Sequence, residues 1–182
     1  MRSIQIDNYL LTVLGQDRPG IVASVTDALA NAGCNIEQSS MSVLGTSFAM
    51  ILVVNVPKDT ERQFRTELVG ITTVQDLKIH VDPFPNGDLY KTVEGDSYSL
   101  NLHGSDHPGI ISAVTRVLSA NNINIRDLAT RVISGEKSIF LMTIDLIVPE
   151  EVDVEQVTDA LKNIGNDIEC EIIFTGDDSI TC

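Results

Sequence analysis

The chain carries one pattern twice, and any fold proposed for it must account for that. Asp17-Arg18-Pro19-Gly20-Ile21 returns 89 positions later as Asp106-His107-Pro108-Gly109-Ile110. In the same register Tyr9 falls on Tyr98, Gly15 on Gly104, Val25 on Val114, Leu29 on Leu118, and Asn35-Ile36 on Asn124-Ile125. The second copy then gains three residues near Ser134-Gly135-Glu136. From there the offset is 92, with Phe48 on Phe140, Met50 on Met142 and Val56-Pro57 on Val148-Pro149. Ordered matches over about 75 residues mark a duplicated structural unit. A unit of that size buries only about 60% of its unfolded surface, so pairing with its twin is the expected remedy.

Within each copy the hydrophobic period switches between two values. Tyr98, Leu100 and Leu102 alternate with Ser99, Asn101 and His103, as in a half-buried strand. Ile110, Ile111, Val114, Val117 and Leu118 then recur at helical spacing, as do Ile21, Val22, Val25, Ala28 and Leu29. Two strands follow, 124–133 and 138–148, joined by a turn at Ser134-Gly135-Glu136. Pro149 is expected to open a second helix carrying Val154, Val157 and Leu161, and a strand over Ile168–Phe174 closes the copy. The order β-α-β-β-α-β predicts an α+β fold: two ferredoxin-like modules, each a four-stranded antiparallel sheet with two helices on one face. Module 1 is expected over 5–82 and module 2 over 97–175, with a Pro/Gly/Asn-containing linker at 83–96 and a polar tail at 176–182.

The sheet faces away from the helices are expected to differ. Module 1 places Leu10, Thr12, Leu14, Ala49, Ile51 and Val53 there, and module 2 places Ser99, Asn101, His103, Thr143 and Asp145. The first face is therefore expected to be covered, by the other module or a second chain, and the second to be wetter.

Hydrophobic residues make up 43% of the chain and charged residues 21%, a globular balance. The formal net charge of −14 supplies no basic stripe for a phosphate backbone, which argues against direct nucleic-acid binding. No apolar run nears the roughly 18 residues of a membrane span, and the first residues show no signal-peptide pattern. The three cysteines, Cys34, Cys170 and Cys182, have no metal-like spacing, and reduced thiols in the cytoplasm are expected. His103, Asp106 and His107 lack a further nitrogen or thiolate ligand, so no metal or cofactor is expected.

The constellation with chemical content is Gly-x-Asp-x-Pro-Gly-Ile between the first strand and first helix of each copy. Its residues are Gly15, Asp17, Arg18, Gly20 and Ile21 in one copy and Gly104, Asp106, His107, Gly109 and Ile110 in the other. The Asp is expected to cap the helix, with the Pro in its first turn. Remaining first-turn amides sit at the positive end of the helix dipole and suit a carboxylate. Asn35 and Asn124, at the start of the second strand, offer donor and acceptor to a free amino acid.

The pattern DRPGI…AGCNI followed by DHPGI…NNINI resembles the ACT domain, over about Tyr9–Val81 and Tyr98–Phe174. The resemblance implies a non-enzymatic regulatory module that binds a small amino acid, of the glycine or serine class, where modules meet. One module would supply the strand–helix turn, and its neighbour the Asn. Matched residue by residue, the site would comprise Gly15, Asp17 and Asn35, and Gly104, Asp106 and Asn124. Aspartate in the turn would pair with a ligand ammonium. The expected partner is a protein, a transcription factor or a metabolic enzyme, and the expected assembly a homodimer. The alternative is an adaptor pair that binds protein through sheet edges with no small ligand. Acylphosphatases share the βαββαβ layout and use an Arg in this loop, but the second copy has His107 in place of Arg18.

Overall fold

The computed structural model describes residues 6–85, 93–135 and 138–176. The chain divides into two compact units, Met1–Lys91 and Thr92–Cys182. The first contains β1 (Ile6–Gln16), α1 (Ile21–Asn31), β2 (Asn35–Leu44), β3 (Ser47–Pro57), α2 (Glu61–Gln75) and β4 (Lys78–Pro83). The second repeats the order as β5 (Asp96–Ser105), α3 (Ile110–Ala120), β6 (Asn124–Ile133), β7 (Ile139–Val148), α4 (Val154–Asp167) and β8 (Cys170–Gly176). The strand orders are β2-β3-β1-β4 and β6-β7-β5-β8, antiparallel throughout. Both units are thus the α+β module that the repeat predicts. Part of the expected linker, Glu136 of the expected turn and nearly all of the tail lie outside the described residues.

The period-2 pattern decides which face is buried. In module 1, Tyr9, Leu11 and Val13 of β1 and Phe48, Met50, Leu52, Val54 and Val56 of β3 form one buried layer. Ile21, Val25 and Leu29 of α1 and Phe64 and Leu68 of α2 close over it. Module 2 repeats the layer with Leu100, Leu102, Phe140, Met142, Ile144, Leu146 and Val148, closed by Ile110, Val114, Leu118, Val157 and Leu161. Burying one such side chain fully contributes about 1.5–3 kcal/mol, so these two layers dominate the stability of each module. Among the described residues no helix is long and apolar enough to cross a membrane.

Two local expectations need correction. Helix α4 does not open at Pro149: Asp153 is its N-cap, accepting the Gln156 amide at 3.1 Å, and Pro149 instead ends the preceding strand. The last strand begins at Cys170, not Ile168, because Glu169 turns through a left-handed conformation, φ 55°. Both second strands also carry a bulge, at Glu37 between Ile36 and Gln38 and at Arg126 between Ile125 and Asp127. Each bulge resets the alternation, so the residues beyond it meet the face that their neighbours on the third strand require.

Registration fixes the faces away from the helices. Across module 1 the rows read Gln38–Val53–Leu10–Asp82, Ser40–Ile51–Thr12–His80 and Ser42–Ala49–Leu14–Lys78. Across module 2 they read Asp127–Asp145–Ser99–Thr175, Ala129–Thr143–Asn101–Ile173 and Arg131–Leu141–His103–Glu171. The first is apolar along its two central strands apart from Thr12. The second is laced by Ser99–Thr175 at 3.3 Å, Thr143–Asn101 at 3.2 Å and His103–Glu171 at 3.2 Å.

Candidate functional site

Each first strand runs into its helix through a tight corner. Gly20 and Gly109 are the N-caps, both at φ 94°, a left-handed conformation that glycine adopts without a Cβ penalty. Asp17 and Asp106 therefore do not cap; no side chain bonds to either helix start. The Asp lies three residues before the cap, and Asp17 is tied through its own backbone, whose N–H donates to the Thr46 carbonyl at 2.8 Å. Pro19 and Pro108 precede the cap and do not enter the first turn. The earliest helical bonds run from Ser24 to Gly20 and from Ala113 to Gly109, each 2.9 Å. Three amides per corner, those of Ile21, Val22 and Ala23 and of Ile110, Ile111 and Ser112, have no hydrogen-bond partner among the described residues. They point along the helix axis at its positive end.

The two corners hold different surroundings. In module 2 a cleft of about 510 Å³ is lined by Asp106, His107, Gly109 and Ile110, together with Ile111, Ser112, Thr115 and Phe140. It joins the free amides to a carboxylate and an imidazole. In module 1 the cleft of about 490 Å³ lies on the strand side, along Leu14, Gly15, Gln16, Thr46, Ser47, Phe48, Asp76 and Lys78. Of the expected site residues, it takes in Gly15 alone. Arg18 is turned away to the end of α2, where its guanidinium donates to the Gln75 carbonyl and, at 2.9 Å, to the Gln75 side chain. A cation there also meets the negative end of α2. Gly104 lines neither cleft; a Cβ there would lie 2.7 Å from Cys170 Cα, so the glycine lets β8 approach β5.

The asparagines lie at the other end of their own sheets. Asn35 pairs with Asn55, which pairs with Asn8 of β1, whereas the corner begins beyond Gln16. Eight residues of strand separate the two rows, about 26 Å. Asn124 is displaced from its corner in the same way, pairing with Ile147 opposite Ser97 of β5. No single module brings its corner and its asparagine together.

Residues 8–82 and 98–166 each match a family model for the ACT domain. The chain belongs to the ACT-domain family. It is similar to the glycine cleavage system transcriptional repressor of Escherichia coli (strain K12), 28% identical over 133 residues, 71% of this chain and 67% of that protein. Among solved structures, an unknown protein from Galdieria sulphuraria superposes with a TM-score of 0.81 at 26% identity, covering 95% of this chain and 99% of that one. Another, assigned as a glycine cleavage system transcriptional repressor, superposes with a TM-score of 0.72 over 94% of this chain and 98% of that one; at 19% identity it speaks to the fold alone.

Sequence reasoning missed the residues that hold the expected ones. In the first ACT module Glu37, on the bulge, accepts from the side chains of Asn35, at 2.8 Å, and Asn55. Gln75, besides receiving Arg18, donates to Ser24 at 3.2 Å. The second ACT module has Arg126 and Ile147 in place of Glu37 and Asn55, and its Asn124 side chain makes no hydrogen bond among the described residues. Comparing the two copies position by position carries that signal, since an Asn-x-Glu that becomes Asn-x-Arg must differ in what restrains the Asn. Both described thiols, Cys34 and Cys170, are free, and burial raises the pKa of each.

Proposed function

We propose that this chain is a non-enzymatic regulatory protein of the cytoplasm that senses a small amino acid of the glycine or serine class. The ligand sits at a seam between ACT modules and changes the affinity of the chain for a protein partner in the control of amino-acid metabolism. One observation carries the reading: in both modules the first-turn amides, six in all, are left without a partner among the described residues at a corner whose cap is glycine. The carboxylate of the amino acid takes these amides. Asp106 takes its ammonium, a charge-assisted bond of the stronger kind. The asparagine comes from another module, since each module's own lies about 26 Å along the sheet. Similarity to the Escherichia coli repressor supports a regulatory role in transcription. The net charge of −14 supports action through a protein and not through DNA.

A ligand this small binds with roughly −4 to −8 kcal/mol, a millimolar to micromolar dissociation constant suited to metabolite pools. Regulation requires that it bind two assembly states unequally. Isothermal titration of the full chain with the twenty amino acids is the test. Saturable heat is expected with glycine, serine or a close analogue, and silence across the panel at millimolar concentration contradicts the reading. Asn35→Ala and Asn124→Ala separate sensing from an adaptor role, because an adaptor keeps its partner after both changes.

A further inference from the structure

We propose, building on the reading that the chain acts through a protein partner, that the groove between α1 and α2 of module 1 receives an arginine side chain of that partner. Two hydrogen bonds set the ends of the groove. Gln75, at the end of α2, donates to Ser24 near the start of α1 at 3.2 Å. Gln63, near the start of α2, donates to the Asn31 carbonyl at the end of α1 at 2.6 Å. The helices therefore run antiparallel, bonded to each other at both ends and open between.

The opening measures about 250 Å³. That is below the roughly 300–1,000 Å³ of a small-molecule pocket and suits a single side chain. Ala28, Gly70, Ile71 and Val74 give it an apolar lining, and Asp27 and Glu67 give it charge; no cation lines it. Gly70 makes the opening. It lies inside α2 without a positive φ, and a Cβ built there would meet nothing within 4 Å. Glycine at such a position weakens a helix relative to alanine, and neither the backbone nor the packing of module 1 requires it. Its bare backbone lets a group from outside lie against the helix. Counted from the N-caps, α4 has Asn163 where α2 has Gly70, so the bare position is particular to module 1.

Charge selects the occupant. No ion pair among the described residues engages Asp27 or Glu67. Arg18 reaches the Gln75 end, but its guanidinium donates to Gln75 itself. Over 92–182 the chain has sixteen acidic residues against five basic, so this groove repels module 2. It likewise repels a second copy of a chain whose net charge is −14. A basic partner is attracted. Arginine suits the lining better than lysine, since its stem covers Ala28, Ile71 and Val74 while its planar fork reaches two carboxylates.

The test is an amide chemical-shift titration of the full chain with the peptide acetyl-Ala-Leu-Arg-Leu-Ala-amide. Both of its ends are blocked, so it offers no zwitterion to the corners. Saturable shifts are expected at Ala28, Gly70 and Ile71, and citrulline in place of the arginine is expected to weaken binding at least about tenfold. Asp27→Asn combined with Glu67→Gln is expected to weaken it by a similar factor. Gly70→Leu fills the opening and is expected to abolish binding while the urea midpoint of unfolding holds or rises, because leucine favours a helix and its Cβ meets no atom there. Silence at these amides with millimolar peptide, the result if module 2 or a second copy already covers the groove, overturns the proposal. Binding indifferent to citrulline, to the neutralised acids or to Gly70→Leu overturns it equally. Amino-acid sensing is read from other amides, those of Ile110, Ile111 and Ser112, so either reading can fail without the other.

Discussion

The two modules share a fold, a strand order and a bulge position, yet they spend their polar residues in opposite places. Module 1 restrains its corner and its asparagine from within, through Gln75 on Arg18 and Glu37 on Asn35, while its outer sheet face is apolar. Module 2 leaves His107 and Asn124 without side-chain hydrogen bonds among the described residues and ties up its outer face with cross-strand pairs. Duplication supplied one scaffold. Divergence left polar side chains unpaired in one copy and made the outer face of the central strands apolar in the other. The helix-side cores, meanwhile, keep matching buried positions along their central strands and first helices, from Leu11 and Leu100 to Val56 and Val148. What the comparison teaches is that the core fixes the fold, whereas the pairing of polar groups at the rim decides what each copy is free to bind.

The largest expected effect tests that equivalence of cores. Leu52 and Ile144 are both fully buried at matching positions, and truncating either to alanine is expected to cost about 2–5 kcal/mol by chemical denaturation. A cost confined to one module would break the comparison. Next come the paired glycines. Gly104→Ala drives a Cβ to 2.7 Å from Cys170 Cα and 2.8 Å from the Glu169 carbonyl, so backbone must move. Gly15→Ala meets only the tip of the Leu77 side chain. Overpacking of about 1–3 kcal/mol is expected at Gly104 and clearly less at Gly15, measured as the difference in unfolding free energy.

Ligand affinity sharpens the contrast between corners. Asp106→Asn is expected to raise the dissociation constant for the amino acid by roughly tenfold or more, the value of one hydrogen bond to a charged group. Asp17→Asn, outside the module 1 cleft, is expected to change it less. Arg18→His, which copies module 2 into module 1, removes the hold on Gln75; its stability cost is expected to be about 0.5–1 kcal/mol because the contact is exposed.

The smallest effect is in acid. Hydrogen bonds from Arg65 and Tyr9 hold the Glu61 carboxyl below the usual carboxylate range. Its contribution to stability is therefore present above the ordinary carboxylate pKa and is lost as pH falls through the lower folded value. Counted from the N-caps Thr60 and Asp153, module 2 has Val154 and Thr158 at the positions of Glu61 and Arg65, and its Tyr98 stacks on Phe174 at 5.0 Å. The stability difference between wild type and Glu61→Gln is thus expected to shrink toward zero in acid, followed by denaturation at several pH values.

The fold was legible because it depends on two periods and one repeat. Tyr98, Leu100 and Leu102 read as a strand, and Ile110, Val114 and Leu118 as a helix face, for the same reason that they bury together. Less legible were the places where a single backbone angle decides. Asp17 and Asp106 looked like caps, yet the left-handed glycines reach that position first, which leaves the amides open. Pro149 looked like a helix start, but Asp153 has the side chain that can accept an amide. The bulge at Glu37 leaves little hydropathy signature, since β2 beyond it is exposed, whereas at Arg126 the core-facing Ile125 and Leu128 fall three apart, out of strict alternation. The corner residues were identifiable as a set. That Arg18 turns to Gln75, and that each asparagine lies at the far end of its sheet, depend on contacts distant in sequence.

The most direct test is an amide chemical-shift titration of the full chain with glycine and with serine. On this account the signals of Ile110, Ile111 and Ser112 move saturably with one of them, together with an asparagine side chain. Immobile first-turn amides, or shifts gathered elsewhere, would contradict it.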